Sequence, residues 1–261
     1  MLNKVLLPIA LPHDILDLIA ASEYIADFCL EELILLHVVT TDLNRHQLEK
    51  KLKHMVQTLN ELKEYKTSYE IREGHLATEI ISLAREKSVD LITVPTRQKN
   101  LLFRALFGST SGDILRLTDM ATLILKKYHD KHLDTILFGT DFDEAAERVL
   151  PYVSFLGQKA RRVVAVNVGK RASDPLAERK RQALVQEKLD ALQEVLSADF
   201  EEVILIQEIG RPSTSIIQQA KKTRADLIIM GRFNRWLKNK VLGSTAERVS
   251  QTAPVSVLLV P

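Results

Sequence analysis

"EIREGHLATEIISLAREKSVDLITVP" (residues 70–95) and "QEIGRPSTSIIQQAKKTRADLIIMG" (residues 207–231) carry the same pattern twice. Gly74 falls on Gly210 and Asp90-Leu91-Ile92 on Asp226-Leu227-Ile228, with one offset of 136 residues for both. Each stretch reads as the end of a strand, a glycine, a helix and a short apolar strand. The matches continue on both sides. "LFGSTSGDILRLTDMATLILKK" (106–127) lies on "LGSTAERVSQTAPVSVLLVP" (242–261), and "KVLLPIA" (4–10) lies on "TILFGTD" (135–141). The chain therefore reads as two copies of one unit, domains 1–130 and 131–261, joined near "KYHDKHLD" (127–134).

Within each copy, strand and helix patterns alternate. The first begins with a strand at 3–9 and a helix at 14–29, followed by the strand "ELILLHVV" (32–39). Its next helix carries Leu48, Leu52, Met55, Leu59 and Leu62 at spacings of four and three, a core-facing stripe of helical period. A strand near 67–72, a helix at 76–87, "DLITVP", a helix from Ser109 and "TLILKK" complete it. The second copy repeats the order, with a stripe at Val185, Leu189, Leu192 and Leu196. Short apolar strands alternating with amphipathic helices specify an α/β fold, with open parallel sheets covered by helices on both faces.

Composition removes several classes of function. Apolar residues make up 46% and charged residues 27%, a globular profile with material for two cores. The net charge of +2 gives no electrostatic case for nucleic acid or a membrane surface. Cys29 is the only cysteine, which excludes a disulfide framework. The start "MLNKVLLPIALPHD" lacks the marks of a signal peptide, and no apolar run reaches the ~20 residues of a membrane helix. The expectation is a cytoplasmic protein.

Ligands of open α/β sheets bind beyond the carboxyl ends of the strands, where the winding reverses. With the first strand between the second and fourth, that point in the second copy lies between Asp141 and Gly231. The stretch "MGRFNRWLKNKVLGSTAERV" (230–249) starts there. Gly231 lets a ligand approach the backbone. Gly243 and Ser244 open a helix with free amides, an anion site in waiting. Ser244 and Thr245 add hydroxyls, Arg232, Arg235, Lys238 and Lys240 add charge, and Asp141 suits a ribose hydroxyl. The same residues also read as a helix cap at Ser244 beside a solvated basic loop.

Both copies resemble universal stress protein domains over nearly the whole chain. The resemblance rests on "KVLLPI", "ELILLHVV", "REGHLATEIISLAREKSVDLITVP" and "FGSTSGDIL" in the first copy. In the second it rests on "TILFGTD", "IGRPSTSIIQQAKKTRADLIIMGR" and "LGSTAERVSQTAPVSVLLVP". It implies a tandem member of that family, with two five-stranded sheets of order 3-2-1-4-5. It also implies an adenine-nucleotide site, whose pattern is Gly-x-x-Gly, nine residues, then Gly-Ser/Thr, with an aspartate ending the first strand. Asp141, Gly231, Gly243, Ser244 and Thr245 match it. Asn234 stands where the second glycine belongs, and eight residues separate it from Gly243. In the first copy Pro95, Gln98 and Ala10 replace both glycines and the aspartate, while Gly108 and Ser109 remain.

The expectation is thus a stress-response protein whose second domain takes ATP as a regulatory ligand, with at most slow hydrolysis. The alternative is a protein of the same fold that binds no nucleotide and acts through protein contacts or another small ligand. No Walker sequence, Gly-x-Gly-x-x-Gly, His-Glu-x-x-His or nucleophile–base pair is present, so no enzyme is expected. "GSTSG" (108–112) places Thr110 where a nucleophile elbow needs serine. His37 reads as packed, His129 and His132 as linker residues, and Asp143 as a helix cap, so no metal site is expected. The last strand of each copy is an apolar edge that a soluble protein should cover. The family's habit of pairing through this strand predicts that Leu123 and Leu125 meet Val257 and Leu259 within one chain. Protein partners beyond that are not named by the sequence.

Overall fold

The computed structural model describes residues 2–10, 15–28, 30–39, 45–95, 109–126, 128, 132–142, 144–232 and 242–261. Two compact units emerge, Met1–Lys131 and His132–Pro261. Unit 1 contains strands β1 (Lys4–Pro8), β2 (Glu32–Val39), β3 (Lys66–Glu73), β4 (Leu91–Pro95) and β5 (Ala121–Leu125). They alternate with helices α1 (Ile15–Ala26), α2 (Arg45–Leu62), α3 (Leu76–Glu86) and α4 (Ser109–Leu117). Unit 2 repeats the order with strands β6 (Thr135–Thr140), β7 (Arg162–Gly169), β8 (Glu202–Ile209), β9 (Leu227–Gly231) and β10 (Ser256–Val260). Its helices are α5 (Glu144–Gly157), α6 (Pro175–Leu196), α7 (Pro212–Lys222) and α8 (Ser244–Thr252).

The strands of unit 1 lie in the order β3-β2-β1-β4-β5 and those of unit 2 in the order β8-β7-β6-β9-β10. Every neighbouring pair within a unit is parallel. This is the α/β class that the sequence pattern predicts and the strand order that the family resemblance implies. The physical cause is visible in β7, where Val163, Val164, Ala165 and Val166 are all buried, as a strand covered on both faces requires.

The matched aspartates explain part of the repeat. Asp90 Oδ2 accepts the amides of Asn3 and Lys4, both at 3.0 Å. Asp226 Oδ2 accepts those of Asp134 and Thr135, at 3.2 and 3.0 Å. In each unit a carboxylate at the entry to the fourth strand thus satisfies amides at the entry to the first. The two central strands are thereby held in register, and with them the opposite ends that carry the site.

The helix stripes pack largely as their period requires. Leu48, Leu52, Met55 and Leu59 are buried, whereas Leu62, in the last turn of α2, is exposed. In α6, Leu189, Leu192 and Leu196 are buried and Val185 is only half-buried. A helix of 22 residues spans about 33 Å, and the eight-residue strand β8 spans about 26 Å. The helix is thus about 7 Å longer than the strand, and on its N-terminal half Leu176 and Leu184 are exposed. Its start is secured by Asp174, which accepts the amides of Leu176 and Ala177 at 3.0 and 2.9 Å.

Candidate functional site

The winding of unit 2 reverses between β6 and β9, which pair from Ile136↔Leu227 to Gly139↔Met230. Beyond their carboxyl ends lies a cleft of about 180 Å³. Asp141, Gly231, Gly243, Ser244 and Thr245 all line it. The sixth residue named from the sequence, Asn234, lies outside the described residues, as do Arg235, Lys238, Lys240 and Asp143.

Backbone bonds join the two sides of the opening. The Arg232 amide donates to the Val260 carbonyl at 2.8 Å, and the Gly243 amide donates to the Arg232 carbonyl at 2.9 Å. Gly243 is the N-cap of α8, with φ −65° and ψ 138°, and no side chain caps the helix. Ser244 is therefore the first helical residue and not the cap, which overturns the capping reading of that serine. The amides of Ser244, Thr245 and Ala246 belong to the first turn, where a helix offers no carbonyl four residues back. All three residues line the cleft, so the positive end of the helix dipole is directed at it.

The sequence groups Arg232 with Arg235, Lys238 and Lys240; of these four, Arg232 is among the described residues. Arg232 lines the cleft and is 0% exposed. A charge removed from water acts through a lower dielectric than a solvated one. Asp141 follows β6 and is exposed. The strand end before it is held by Asn167, whose Nδ2 donates to the Thr140 carbonyl at 3.0 Å.

The apolar side of the cleft is made by residues that the sequence does not single out. Val166 and Val168 project from β7, Ile216 and Pro212 come from α7, and Met230 comes from β9. The alternation of Val166 and Val168 is the one local signal that sets them on a common face. Gly139 brings α7 close, since a Cβ there would lie 3.1 Å from Ile216 Cδ1.

Unit 1 presents different chemistry at the equivalent place. Pro95 ends β4 opposite Leu125, as Gly231 ends β9 opposite Val260. It has no amide to donate. Ala10 stands where unit 2 has Asp141, and Gly108 and Gln98 lie outside the described residues. His37 takes the place of Asn167: its Nδ1 lies 3.0 Å from the Ile9 carbonyl. A carbonyl only accepts, so Nδ1 carries the proton and Nε2 is a lone pair, buried without a hydrogen-bond partner. Burial pushes the His37 pKa below its usual 6.5, and the bond to Ile9 opposes this.

Among the described residues, no group of histidine, cysteine or carboxylate side chains is arranged to hold a metal ion, and no helix is long and apolar enough to cross a membrane. His129 lies outside the described residues.

Comparison with curated proteins finds no match to the chain. Among solved structures, a universal stress protein from Archaeoglobus fulgidus DSM 4304 superposes with a TM-score of 0.75 at 23% identity, covering 99% of this chain and 96% of that one. A functionally unknown protein from Pseudomonas aeruginosa PAO1 gives a TM-score of 0.76 at 20% identity, over 99% and 92%. The cytoplasmic domain of a prokaryotic cation chloride cotransporter gives 0.62 at 15% identity, over 99% and 95%. At these identities the likenesses establish the fold. The sequence model of the universal stress protein family matches twice, over residues 20–126 and 132–261, and the chain belongs to that family.

Proposed function

We propose that unit 2 binds an adenine nucleotide, ATP, as the regulatory ligand of a stress-response protein. Supporting this is the convergence of an exposed carboxylate, Asp141, with the N-terminus of α8, which no side chain caps, in one cleft. The roles follow from the chemistry of each group. The amides of Ser244, Thr245 and Ala246 and the buried Arg232 take the phosphates, because they are donors in a positive field. Asp141 accepts from ribose hydroxyls. Val166, Val168, Ile216 and Met230 supply the apolar surface for a base. Unit 1, with Pro95 and Ala10, takes no nucleotide of this kind.

One observation favours the second reading, in which the protein binds no nucleotide and works through protein contacts or another small ligand. The segment between Asn234 and Gly243 is one residue shorter than the family's pattern. Calorimetric titration of the full-length chain with ATP, ADP, AMP and adenosine separates the two. Nucleotide binding gives saturable heat that weakens as phosphates are removed. A ligand at 100 times its dissociation constant also stabilises the fold by about 2.7 kcal/mol. Neither heat nor stabilisation at millimolar ATP leaves the second reading standing. Mass spectrometry of small molecules released from the purified protein then identifies what the cleft carries.

A further inference from the structure

The turn that carries Asp141 is strained. Phe142, the next residue, has φ +58°, a left-handed conformation that a bulky side chain rarely takes. Among the described residues, three contacts hold it. The Phe142 amide donates to Thr140 Oγ1 at 3.1 Å. Lys188 Nζ donates to the Phe142 carbonyl at 3.4 Å, and the same ammonium stands 5.7 Å from the centre of the Phe142 ring. Two of the three thus come from one side chain of α6, 46 residues further along the chain. The site of that lysine is set by its neighbour Leu189, which is buried under the helix. Strain of this kind persists only where surrounding contacts over-determine it, and it collects at ligand clamps.

We propose that Phe142 and Lys188 are positioning residues for Asp141. By gripping the carbonyl and the ring of Phe142, the lysine keeps the turn left-handed and sets the direction from which the carboxylate meets a ligand in the cleft. This deepens the nucleotide reading of unit 2 and rests on it. Unit 1 is consistent with such a role, because Ala10 there offers no carboxylate to position. Neither residue lines the cleft itself, so both act through Asp141.

The test uses the full-length protein and ATP. Lys188→Met removes the charge and keeps the stem. Phe142→Gly removes the ring at a position where glycine takes positive φ freely, so the fold is spared. Both are expected to weaken ATP binding about tenfold. Lys188→Arg restores the cation and stays within about twofold of wild type, and Lys180→Met, on the same helix, changes nothing. In an Asp141→Ala background, Lys188→Met costs nothing further, because the lysine acts through the carboxylate. Without ligand, Lys188→Met shifts the amide resonances of Asp141 and Phe142. Unchanged ATP affinity in both Lys188→Met and Phe142→Gly overturns the proposal. If the wild type binds no ATP, the nucleotide reading fails by itself and the amide resonances decide. Movement at both sustains the clamp, and none overturns it.

Discussion

Gly243 donates its amide to the carbonyl of Arg232 at 2.9 Å, so the end of β9 and the start of α8 are held together while Gly243 itself caps the helix. That amide is consumed by the protein. The donors left for an anion are those of Ser244, Thr245 and Ala246. Because Gly243 sits at φ −65°, its backbone conformation does not itself require glycine.

Replacing Gly243 with valine is therefore expected to preserve the fold to within about 1 kcal/mol. It should abolish ATP affinity, since a branched side chain stands between the ligand and the helix amides. Ser244→Ala leaves those amides in place and should weaken binding by less. Calorimetry for affinity and thermal melts for stability check the pair. Equal ATP affinity in wild type and Gly243→Val would show that the glycine serves the connection only.

Binding is expected at one site per chain. Pro95 lacks the amide and Ala10 the carboxylate, so Ala10→Asp alone creates no second site. Titration of the full chain should give a stoichiometry of one, and Asp141→Ala with Gly243→Val should remove it entirely. A residual ATP-induced thermal shift in that double variant would place binding in unit 1.

His37 gives unit 1 a pH dependence that Asn167, at the equivalent position of unit 2, cannot give. Its folded pKa lies below 6.5, so well above that value the residue is neutral in both states and contributes no slope. As pH falls through 6.5 the unfolded chain takes up a proton first, and stability falls. His37→Asn installs the residue found at the equivalent position, Asn167, with its bond to the strand-end carbonyl. The variant is expected to lose less stability than wild type between pH 7.5 and pH 5. Urea melts at both values test this, and identical losses would assign the acid sensitivity to other groups.

The paired aspartates should matter for stability and not for the ligand. Asp90→Ala leaves the amides of Asn3 and Lys4 without their acceptor, and Asp226→Ala does the same for Asp134 and Thr135. Each loss is expected to cost about 1–3 kcal/mol. Asn at either position keeps one oxygen acceptor and should recover part of it. Chemical denaturation of the four variants reads this directly. An unchanged midpoint in Asp90→Ala would mean that water satisfies those amides equally well.

The parallel sheets and the two-unit plan were legible in the residues because they depend on local period and on repetition. An apolar strand run, a helical stripe and an offset of 136 residues are all properties of neighbours along one chain. The same holds for Gly231, Gly243 and Asp141, whose place at strand ends and helix starts follows from the pattern around them. Even within the helix start, the pattern pointed to Ser244 as the cap, and the φ and ψ of Gly243 moved it to the glycine. What only the tertiary structure decided is which distant residues share a space. Arg232 is buried at the cleft, although in the sequence it is one basic residue among several. Val166 and Val168 meet Ile216 and Met230 there because β7, β6 and β9 are adjacent in register and α7 crosses close over Gly139. Lys188 reaches Phe142 because the fold brings α6 alongside the turn after β6, 46 residues earlier in the chain. Such meetings depend on sheet order and helix length together, and no residue's own neighbours in the chain carry that information.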